Sequence, residues 1–244
     1  MLTIKPIKDY GHALGEYLRQ ADYYSEGLHV DGMCFGKLCE KVGLSEGEPI
    51  TDKAFSALAQ NHHAKTEEQL TERMAAQRRA GYDAVLSAPK SVSIQAFIGG
   101  DERLLAAHDW AVRATLLELE RHACRQAGQG INKQYVKSGS LAIASFRHGE
   151  SRALDPQLHT HNFIFNQTWD SHGKRLVALE SSEIFARARY LSEVYRNALA
   201  AEVRKLGYEI ERKNHGFELA GVSQILIERF SKRAKGKRPA DVHP

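Results

Sequence analysis

The chain has 244 residues, of which 42% are hydrophobic and 26% are charged, and its formal net charge is +4. This size and composition favour a globular protein whose core needs no disulfides, built as one large domain or two small ones. Three cysteines without framework spacing argue against a secreted disulfide scaffold, and no apolar run approaches the ~20 residues of a membrane span. The N-terminus also lacks the apolar stretch of a signal peptide, so we expect a cytoplasmic protein.

The first predicted elements are short and separated by polar loops. Residues 2–5 favour a strand, and apolar spacing over 8–21 favours a helix. Residues 25–50 are rich in glycine and polar side chains, which predicts mainly loop. Two helices, each opened by a threonine, are predicted over 51–60 and 66–80.

The middle of the chain alternates strands and helices. Residues 82–86 predict a buried strand, followed by a strand-to-helix turn at Ser87-Ala88-Pro89-Lys90 with its proline near the first helical position. The longest helix is predicted from Asp101 to about Ala127. Residues 133–148 favour a hairpin that turns at Ser138-Gly139.

The last third predicts two more hairpins and two more helices. A strand over 158–168 pairs with one near 175–178, a helix covers 182–206, a hairpin turns at Asn214-His215-Gly216, and a short helix covers 222–232. Hairpins require antiparallel pairing, and here they alternate irregularly with helices. We therefore expect an α+β fold with a central antiparallel β-sheet flanked by helices.

The most informative motif is Asp155-Pro156-Gln157-Leu158-His159-Thr160-His161. In a strand, His159 and His161 project to the same side, and His148 ends the preceding predicted strand. If the two strands are neighbours, three imidazoles converge and leave open positions for substrate oxygens, as a catalytic metal site requires. An isolated His-x-His pair is usually incidental to packing or to the surface, so the third histidine carries the metal interpretation.

Asp83 lies within the predicted strand 82–86, where an acidic side chain is costly to bury without a partner. It can accept a hydrogen bond from a metal-bound histidine, or it can take a proton from a nucleophile. On spacing alone, a turn cap or a pairing with a lysine is the more common role of such a residue. Lys90 can approach a phosphate, although a solvated lysine is the simpler interpretation.

Three tyrosines lie near the start of the chain, at Tyr17, Tyr23 and Tyr24. A tyrosine can attack a phosphodiester and form a phosphotyrosine ester, but its pKa near ~10 means that it needs a base or a nearby cation. Without further information, aromatic packing on one face of a helix is the simpler explanation of these tyrosines.

Taken together, these residues resemble the relaxase domain of conjugative relaxases of the TrwC/TraI type, the MobF class of HUH nucleases. The most specific stretches are Leu86 to Ser93 and Phe146 to His161, and the resemblance runs from Met1 to about Arg233, which leaves 234–244 as a basic tail or linker. Weaker matches are Gly36-Lys37 with Gly43-Leu44, Gly100-Asp101 with Ala107-His108, Val194-Tyr195, Leu206-Gly207-Tyr208 and Phe230-Ser231.

The resemblance implies a circularly permuted HUH nuclease fold, of the palm or RRM-like type. It implies His148, His159 and His161 as metal ligands, with Asp83 as the acid beside them. It also implies a site- and strand-specific single-stranded DNA endonuclease and transesterase that acts at an origin of transfer in bacterial conjugation. An N-terminal tyrosine would form a 5′-phosphotyrosine link and release a 3′-hydroxyl.

One departure from the family concerns the attacking tyrosine. The family often carries two pairs of adjacent tyrosines, but here only Tyr23-Tyr24 is intact and the first pair is reduced to Tyr17. Tyr17 is our choice for the first attack, with Tyr23 and Tyr24 as the alternatives. Family members commonly continue into a helicase region, which this sequence does not contain, so we expect a piece of a longer protein or a short mobilisation-type protein.

The expected cofactor is one divalent cation. Three imidazoles favour Mn²⁺, Ni²⁺, Cu²⁺ or Zn²⁺, whereas the resemblance implies Mg²⁺ or Mn²⁺ as the working ion. The expected partners are single-stranded and duplex DNA at the origin, accessory relaxosome proteins and a coupling protein. Candidate DNA contacts are Arg73, Arg78, Arg79, Lys90, Arg147 and Arg152, with a basic tail at Lys232, Arg233, Lys235, Lys237 and Arg238. For any single one of these arginines, a solvated surface charge is the simpler interpretation.

Three other interpretations remain open. A rolling-circle replication initiator of the same superfamily would place Tyr-x-x-Lys after the histidine pair. Here the residues three positions after Tyr190 and Tyr195 are Glu193 and Ala198, so the required lysine is missing. A metal-dependent nuclease that uses bound water would cut without a covalent intermediate. A DNA-binding regulator would keep the scaffold without catalysis.

Overall fold

The structure, a computed structural model, describes residues 1–8, 32–72, 78–128, 130–151, 154–214 and 216–231. Within these residues the chain forms twelve strands and six α-helices. None of the helices in this part of the chain is long and apolar enough to cross a membrane. The strands are β1 (Leu2–Ile7), β2 (Met33–Phe35), β3 (Gly81–Ser87), β4 (Cys124–Ala127), β5 (Gln134–Lys137), β6 (Ile143–Glu150), β7 (Pro156–Phe165), β8 (Thr168–Asp170), β9 (Arg175–Val177), β10 (Leu179–Glu180), β11 (Ile210–Lys213) and β12 (Gly216–Leu219). The helices are α1 (Asp52–Ala59), α2 (Lys90–Phe97), α3 (Arg103–Glu120), α4 (Ser182–Ala186), α5 (Ala188–Lys205) and α6 (Gln224–Arg229).

A five-stranded antiparallel sheet forms the centre of the fold, with the strand order β1-β3-β7-β6-β2. The longest strand, β7, lies in the middle and pairs with β3 on one side and β6 on the other. Because side chains alternate between the two faces, the register places odd-numbered residues of β3 and β7 on the same face as even-numbered residues of β6. This face carries the histidines.

The opposite face of the sheet packs against α2, α3 and α5. Its apolar side chains, such as Tyr82, Leu86 and Ile164, join those of the three helices in the larger hydrophobic core. The helices contribute Val92, Leu104, Ala111, Leu116, Leu191 and Leu199, all of them buried. One face of the sheet is therefore closed by a helical layer.

A smaller core covers one half of the histidine-bearing face. Phe55 of α1 is fully buried among Phe146, Phe163 and Phe165, at ring-centroid distances of 5.9, 4.8 and 5.3 Å. Thr51 caps α1 by accepting a hydrogen bond from the Ala54 amide. The aromatic packing lies towards the end of β7, so the half of this face near the beginning of β7 is left for the histidines.

Three smaller sheets complete the described part of the chain: β10-β4-β5, the hairpin β8-β9 and the hairpin β11-β12. A buried ion pair of 2.9 Å between Arg125 and Asp170 joins β4 to β8. The expected α+β class with a central antiparallel sheet is confirmed, and so is the predicted hairpin around 214–216. The hairpin predicted around 170–173 forms between β8 and β9, but the single strand predicted over 158–168 is wrong, because it is divided into β7 and β8 and β7 pairs with β3 and β6 instead. The helix predicted over 8–21 lies almost entirely outside the described residues.

The prediction of a helix over 66–80 is wrong for all of its residues that the structure describes. Residues 66–72 and 78–80 are not helical. Instead, Gln69 forms a bridge with His62, and the Asn61 amide donates to the Thr71 hydroxyl, so this segment folds back on the end of α1. Side-chain contacts outside the segment override its helical pattern.

The longest helix ends earlier than expected, at Glu120, and residues 124–127 form β4. The Glu120 carboxylate accepts hydrogen bonds from the Lys37 and Leu141 amides, which fixes this end of α3 against neighbouring loops. Pairing with β5 and β10 then makes residues 124–127 a strand, which the local sequence pattern does not predict.

The hairpin predicted over 133–148 is also wrong. β5 pairs with β4 in the three-stranded sheet, whereas β6 pairs with β7 and β2 in the central sheet. Ser138-Gly139 marks the point where the chain passes between sheets, with both amides donating to the Ala123 carbonyl. The single helix predicted over 182–206 is likewise divided into α4 and α5 at Arg187.

Candidate metal centre

Three imidazole rings lie together on the open half of the central sheet. His159 and His161 come from β7, and His148 lies directly opposite His159 on β6. The ring centroids are 5.3 Å apart for His148 and His159, 5.3 Å for His148 and His161, and 5.2 Å for His159 and His161. The strand order thus brings together the three histidines that the sequence singled out.

Two of the rings have their tautomers set by neighbours. Nδ1 of His159 donates to the Gln157 carbonyl at 2.8 Å, because a carbonyl can only accept. Nδ1 of His161 lies 3.1 Å from both carboxylate oxygens of Asp83, which is buried on the adjacent strand β3. With the proton on Nδ1, each neutral ring carries its lone pair on Nε2, the form that binds a metal.

Of the two roles considered for Asp83, this contact fits the one in which the carboxylate accepts a hydrogen bond from a histidine. Its carboxylate is engaged with His161, the arrangement in which a carboxylate orients a ligand from behind. The register explains the placement, since Asp83 stands opposite Phe163 on the histidine-bearing face, diagonal to His161.

The third ring, His148, has a buried Nε2 atom that has no hydrogen-bond partner among the described residues. Burial lowers the pKa of His148 to about 3, and the neighbouring His159 and His161 act in the same direction. The ring is therefore neutral at physiological pH, which keeps a nitrogen lone pair available. A buried nitrogen acceptor without a partner is costly unless something binds it.

The spacing of the rings fits coordination of one cation. A cation about 2.1 Å from each donor nitrogen, in tetrahedral geometry, places imidazole centroids roughly 5 Å apart. As they stand, no group of three or more His, Cys, Asp or Glu side chains within the described residues is arranged to hold a metal ion.

The basic residues proposed for DNA contact have different surroundings. Arg147 lies on the helical face of the sheet and pairs with Asp109 of α3. Arg78 is half-buried and donates to the carbonyls of Ala59 and Asn166, and burial lowers its pKa to about 10. Both guanidinium groups are therefore engaged within the protein.

Lys90, at the start of α2, donates to the Pro156 carbonyl at 2.9 Å. Burial lowers its pKa, while the charges of Asp155 and Glu218 act in the opposite direction. This contact joins α2 to the first residue of β7, Pro156, which lies three residues before His159. Arg79 is exposed and lies two residues before the start of β3.

Several predicted site residues lie outside the described residues. These are Tyr17, Tyr23, Tyr24, Arg73 and Arg152, together with the basic tail after Ser231. Conversely, the sequence interpretation gave no role to His108 or Thr160. The only signal for His108 was its place in a weak match, and Thr160 was noted only as the residue between the two ligands.

An antiparallel sheet gathers three imidazoles on one face and packs helices on the other, which makes this a candidate histidine-based metal site on an α+β scaffold. Comparison with known proteins identifies the scaffold. Residues 10–237 match the sequence profile of the family described as TrwC relaxase, so the chain belongs to that family.

Individual relatives agree with this assignment. The chain is 31% identical over 249 residues to the multifunctional conjugation protein TraI of Escherichia coli, a match that covers 98% of this chain and 14% of TraI. The chain therefore spans about one seventh of that relative's length. Among solved structures it is similar to the conjugative relaxase TrwC in complex with oriT DNA, in a metal-free form (34% identity, TM-score 0.84, 100% of this chain and 86% of TrwC) and in a copper-bound form (35% identity, TM-score 0.86, 100% and 87%).

Proposed function

We propose that this chain is a metal-dependent DNA relaxase domain that nicks one strand at an origin of transfer and becomes covalently joined to it. The observation that carries the proposal is the trio of imidazole rings with Asp83 behind His161, in a chain that belongs to the TrwC relaxase family. TrwC has been solved in complex with oriT DNA and in metal-bound forms, which supports both the DNA substrate and a divalent cation.

His148, His159 and His161 would hold the cation, which when bound supplies a Lewis acid that polarises a phosphate oxygen. The protein's own contribution is to set the tautomer of two rings and to keep the third uncharged. Asp83 and the Gln157 carbonyl fix protons on Nδ1, and burial keeps His148 uncharged. The donor set favours Mn²⁺, Cu²⁺, Ni²⁺ or Zn²⁺ on affinity, whereas Mg²⁺ or Mn²⁺ would serve as the working ion.

A tyrosine would supply the nucleophile, with Tyr17 as the first choice and Tyr23 and Tyr24 as alternatives. The phenolic oxygen attacks phosphorus, the new P–O bond to tyrosine forms, and the bond from phosphorus to the 3′ oxygen breaks. The phenol loses one proton and the departing 3′ oxygen gains one, so the step is balanced. Since one phosphodiester replaces another, the reaction is readily reversible, which suits later rejoining of the strand.

DNA binding would rest on cations near the histidine-bearing strands. The described candidates are Lys90, whose ammonium donates to one carbonyl, and the exposed Arg79, and Arg73 and Arg152 complete the proposed set. Phosphate contacts would make affinity fall with rising salt. In the cell, accessory relaxosome proteins and a coupling protein would be further partners at the origin.

Covalent capture tests the proposal most directly. The protein is incubated with Mn²⁺ and single-stranded oligonucleotides tiled across the transfer origin of the element that encodes it, and denaturing gels detect protein–DNA adducts. We expect an adduct with one oligonucleotide, and peptide mapping of that adduct to identify Tyr17. Tyr17→Phe should abolish the adduct and leave DNA binding unchanged, because only the nucleophilic hydroxyl is removed.

Tyr135→Phe is the matched control, since Tyr135 is exposed on β5, outside the central sheet. An undiminished adduct in Tyr17→Phe would transfer the role to Tyr23 or Tyr24. Cleavage without any adduct, unaffected by all three tyrosine substitutions, would refute the covalent mechanism and favour a nuclease that uses bound water.

A further inference from the structure

A buried polar chain lies directly behind the histidine site, on the helical face of the sheet. His108 of α3 is fully buried, with Nδ1 2.7 Å from the Tyr195 hydroxyl of α5 and Nε2 2.8 Å from the Thr160 hydroxyl of β7. Thr160 is the residue between His159 and His161, so its side chain points away from the imidazole site and into the helical layer.

The three side chains that form these hydrogen bonds are buried, in a helical layer whose core includes the apolar residues Leu104, Ala111 and Leu191. A polar group in such surroundings is costly unless every hydrogen-bonding atom is satisfied, whereas apolar residues of similar shape pack there without that cost. Stability alone therefore does not account for three hydrogen-bonding side chains in series at this position. Hydrogen bonds of fixed length do, however, define where a strand lies relative to a helix.

The next residue of α3 makes a second connection to the site. Asp109 pairs with Arg147 of β6, and Arg147 stands directly opposite Thr160 in the register. Two consecutive residues of one helix thus hold the two strands that carry the histidines, at the point immediately behind them. Metal coordination tolerates errors of only about 0.5 Å in ligand position, so this point of the sheet is where support has most effect.

We propose that His108 is a positioning residue for the histidine site, which acts through Thr160 to fix the peptide that carries both His159 and His161. The inference rests on the proposed function, because it assumes that these histidines bind a cation. His108 itself does not touch the ligands; it holds the strand between them, and Tyr195 holds His108 in turn.

Cobalt binding provides the test, because both its affinity and its visible absorption spectrum report on the ligands. The wild type, Thr160→Ser and Thr160→Val are titrated with Co²⁺ and compared by calorimetry and absorption, with urea unfolding measured in parallel. Thr160→Val should bind Co²⁺ about 10–100-fold more weakly, with an altered spectrum, as expected when support behind a metal ligand is lost. Thr160→Ser keeps the hydroxyl and should restore both the affinity and the spectrum.

Thr115→Val is the matched control. Thr115 is also fully buried on α3, but its hydroxyl donates to the Ala111 carbonyl within the helix and not to the sheet. It should lower stability without changing Co²⁺ affinity or spectrum. A Thr160→Val protein that binds Co²⁺ with the affinity and spectrum of the wild type would overturn the positioning role alone.

A wild type that binds no Co²⁺ would overturn the metal site and, with it, the positioning role. Should Thr160→Val fail to fold, the triple variant Thr160→Val/His108→Leu/Tyr195→Phe removes all three polar groups together and leaves none unsatisfied. Retained stability with weakened Co²⁺ binding in that variant supports the proposal, and retained stability with unchanged binding refutes it.

Discussion

Replacing Asp83 by asparagine tests whether a carboxylate sets the tautomer of His161. Asp83 is only 6% exposed, and both its oxygens lie 3.1 Å from Nδ1 of His161. The substitution preserves shape but removes the charge, and it can turn an NH₂ donor towards the ring. The ring would then carry its proton on Nε2, which removes the lone pair that a cation needs.

We expect Asp83→Asn to lower Co²⁺ affinity about 10–100-fold, the usual effect of losing a partner behind a metal-bound histidine. This corresponds to about 1.4–2.7 kcal/mol of binding free energy. Calorimetric titration at neutral pH measures it, with urea unfolding as the check on folding. Asp170→Asn is the control, because Asp170 is equally buried (7% exposed) but pairs with Arg125, outside the central sheet. Wild-type affinity in folded Asp83→Asn protein would refute the reasoning.

Further predictions concern the ligands, the two cores and pH. His159→Ala should lower Co²⁺ affinity at least tenfold, whereas His172→Ala in the exposed β8–β9 turn should not; calorimetry showing equal effects would contradict the ligand assignment. Phe55→Ala should lower the free energy of unfolding by about 3–5 kcal/mol, since the ring fills the smaller core; a loss under about 1 kcal/mol in urea unfolding would contradict this. Gly149→Ala should cost about 1 kcal/mol, because its Cβ would lie 2.9 Å from the Phe97 ring, and the double variant with Phe97→Ala should relieve that clash. Burial lowers the pKa of His108 to about 3, so as pH falls below about 6.5 the imidazole binds a proton in the unfolded chain but not in the folded one. This group should therefore lower the free energy of unfolding by about 2 kcal/mol between pH 7 and pH 5. Urea unfolding of His108→Gln should lack that part of the decrease.

The histidine site was predictable because its signals are local and periodic. Alternation in a strand places His159 and His161 on one face whatever the rest of the fold does, and a strand that precedes them in a hairpin brings His148 alongside. The same reasoning gives a wrong prediction for residues 133–148. Their spacing is typical of a hairpin, but β5 and β6 belong to two different sheets. Pairing between sheets depends on long-range contacts that the local pattern does not contain.

The support behind the site was not predictable for a related reason. His108 lies in a helix, and nothing in its neighbours indicates that it meets Thr160, 52 positions later. Arg147 was expected to contact DNA, yet its strand position places it on the helical face, where Asp109 accepts its hydrogen bond. Assigning such residues requires knowing which face of each strand is covered, and that depends on the packing of α3 and α5.

The position of the histidines depends on the register of β7, because the two faces of this strand have different surroundings. A shift by one residue would turn Thr160 towards the open side and bury His159 and His161 under the helices, since side chains alternate with a period of two. Several contacts oppose that shift: Phe163 and Phe165 pack around Phe55 on one face, and the Asn162 amide donates to the Ala84 carbonyl on the other. The hydrogen bond between His108 and Thr160 also opposes a shift of β7. Apolar packing and buried hydrogen bonds therefore fix one register together, and that register is the one in which three imidazoles share a face.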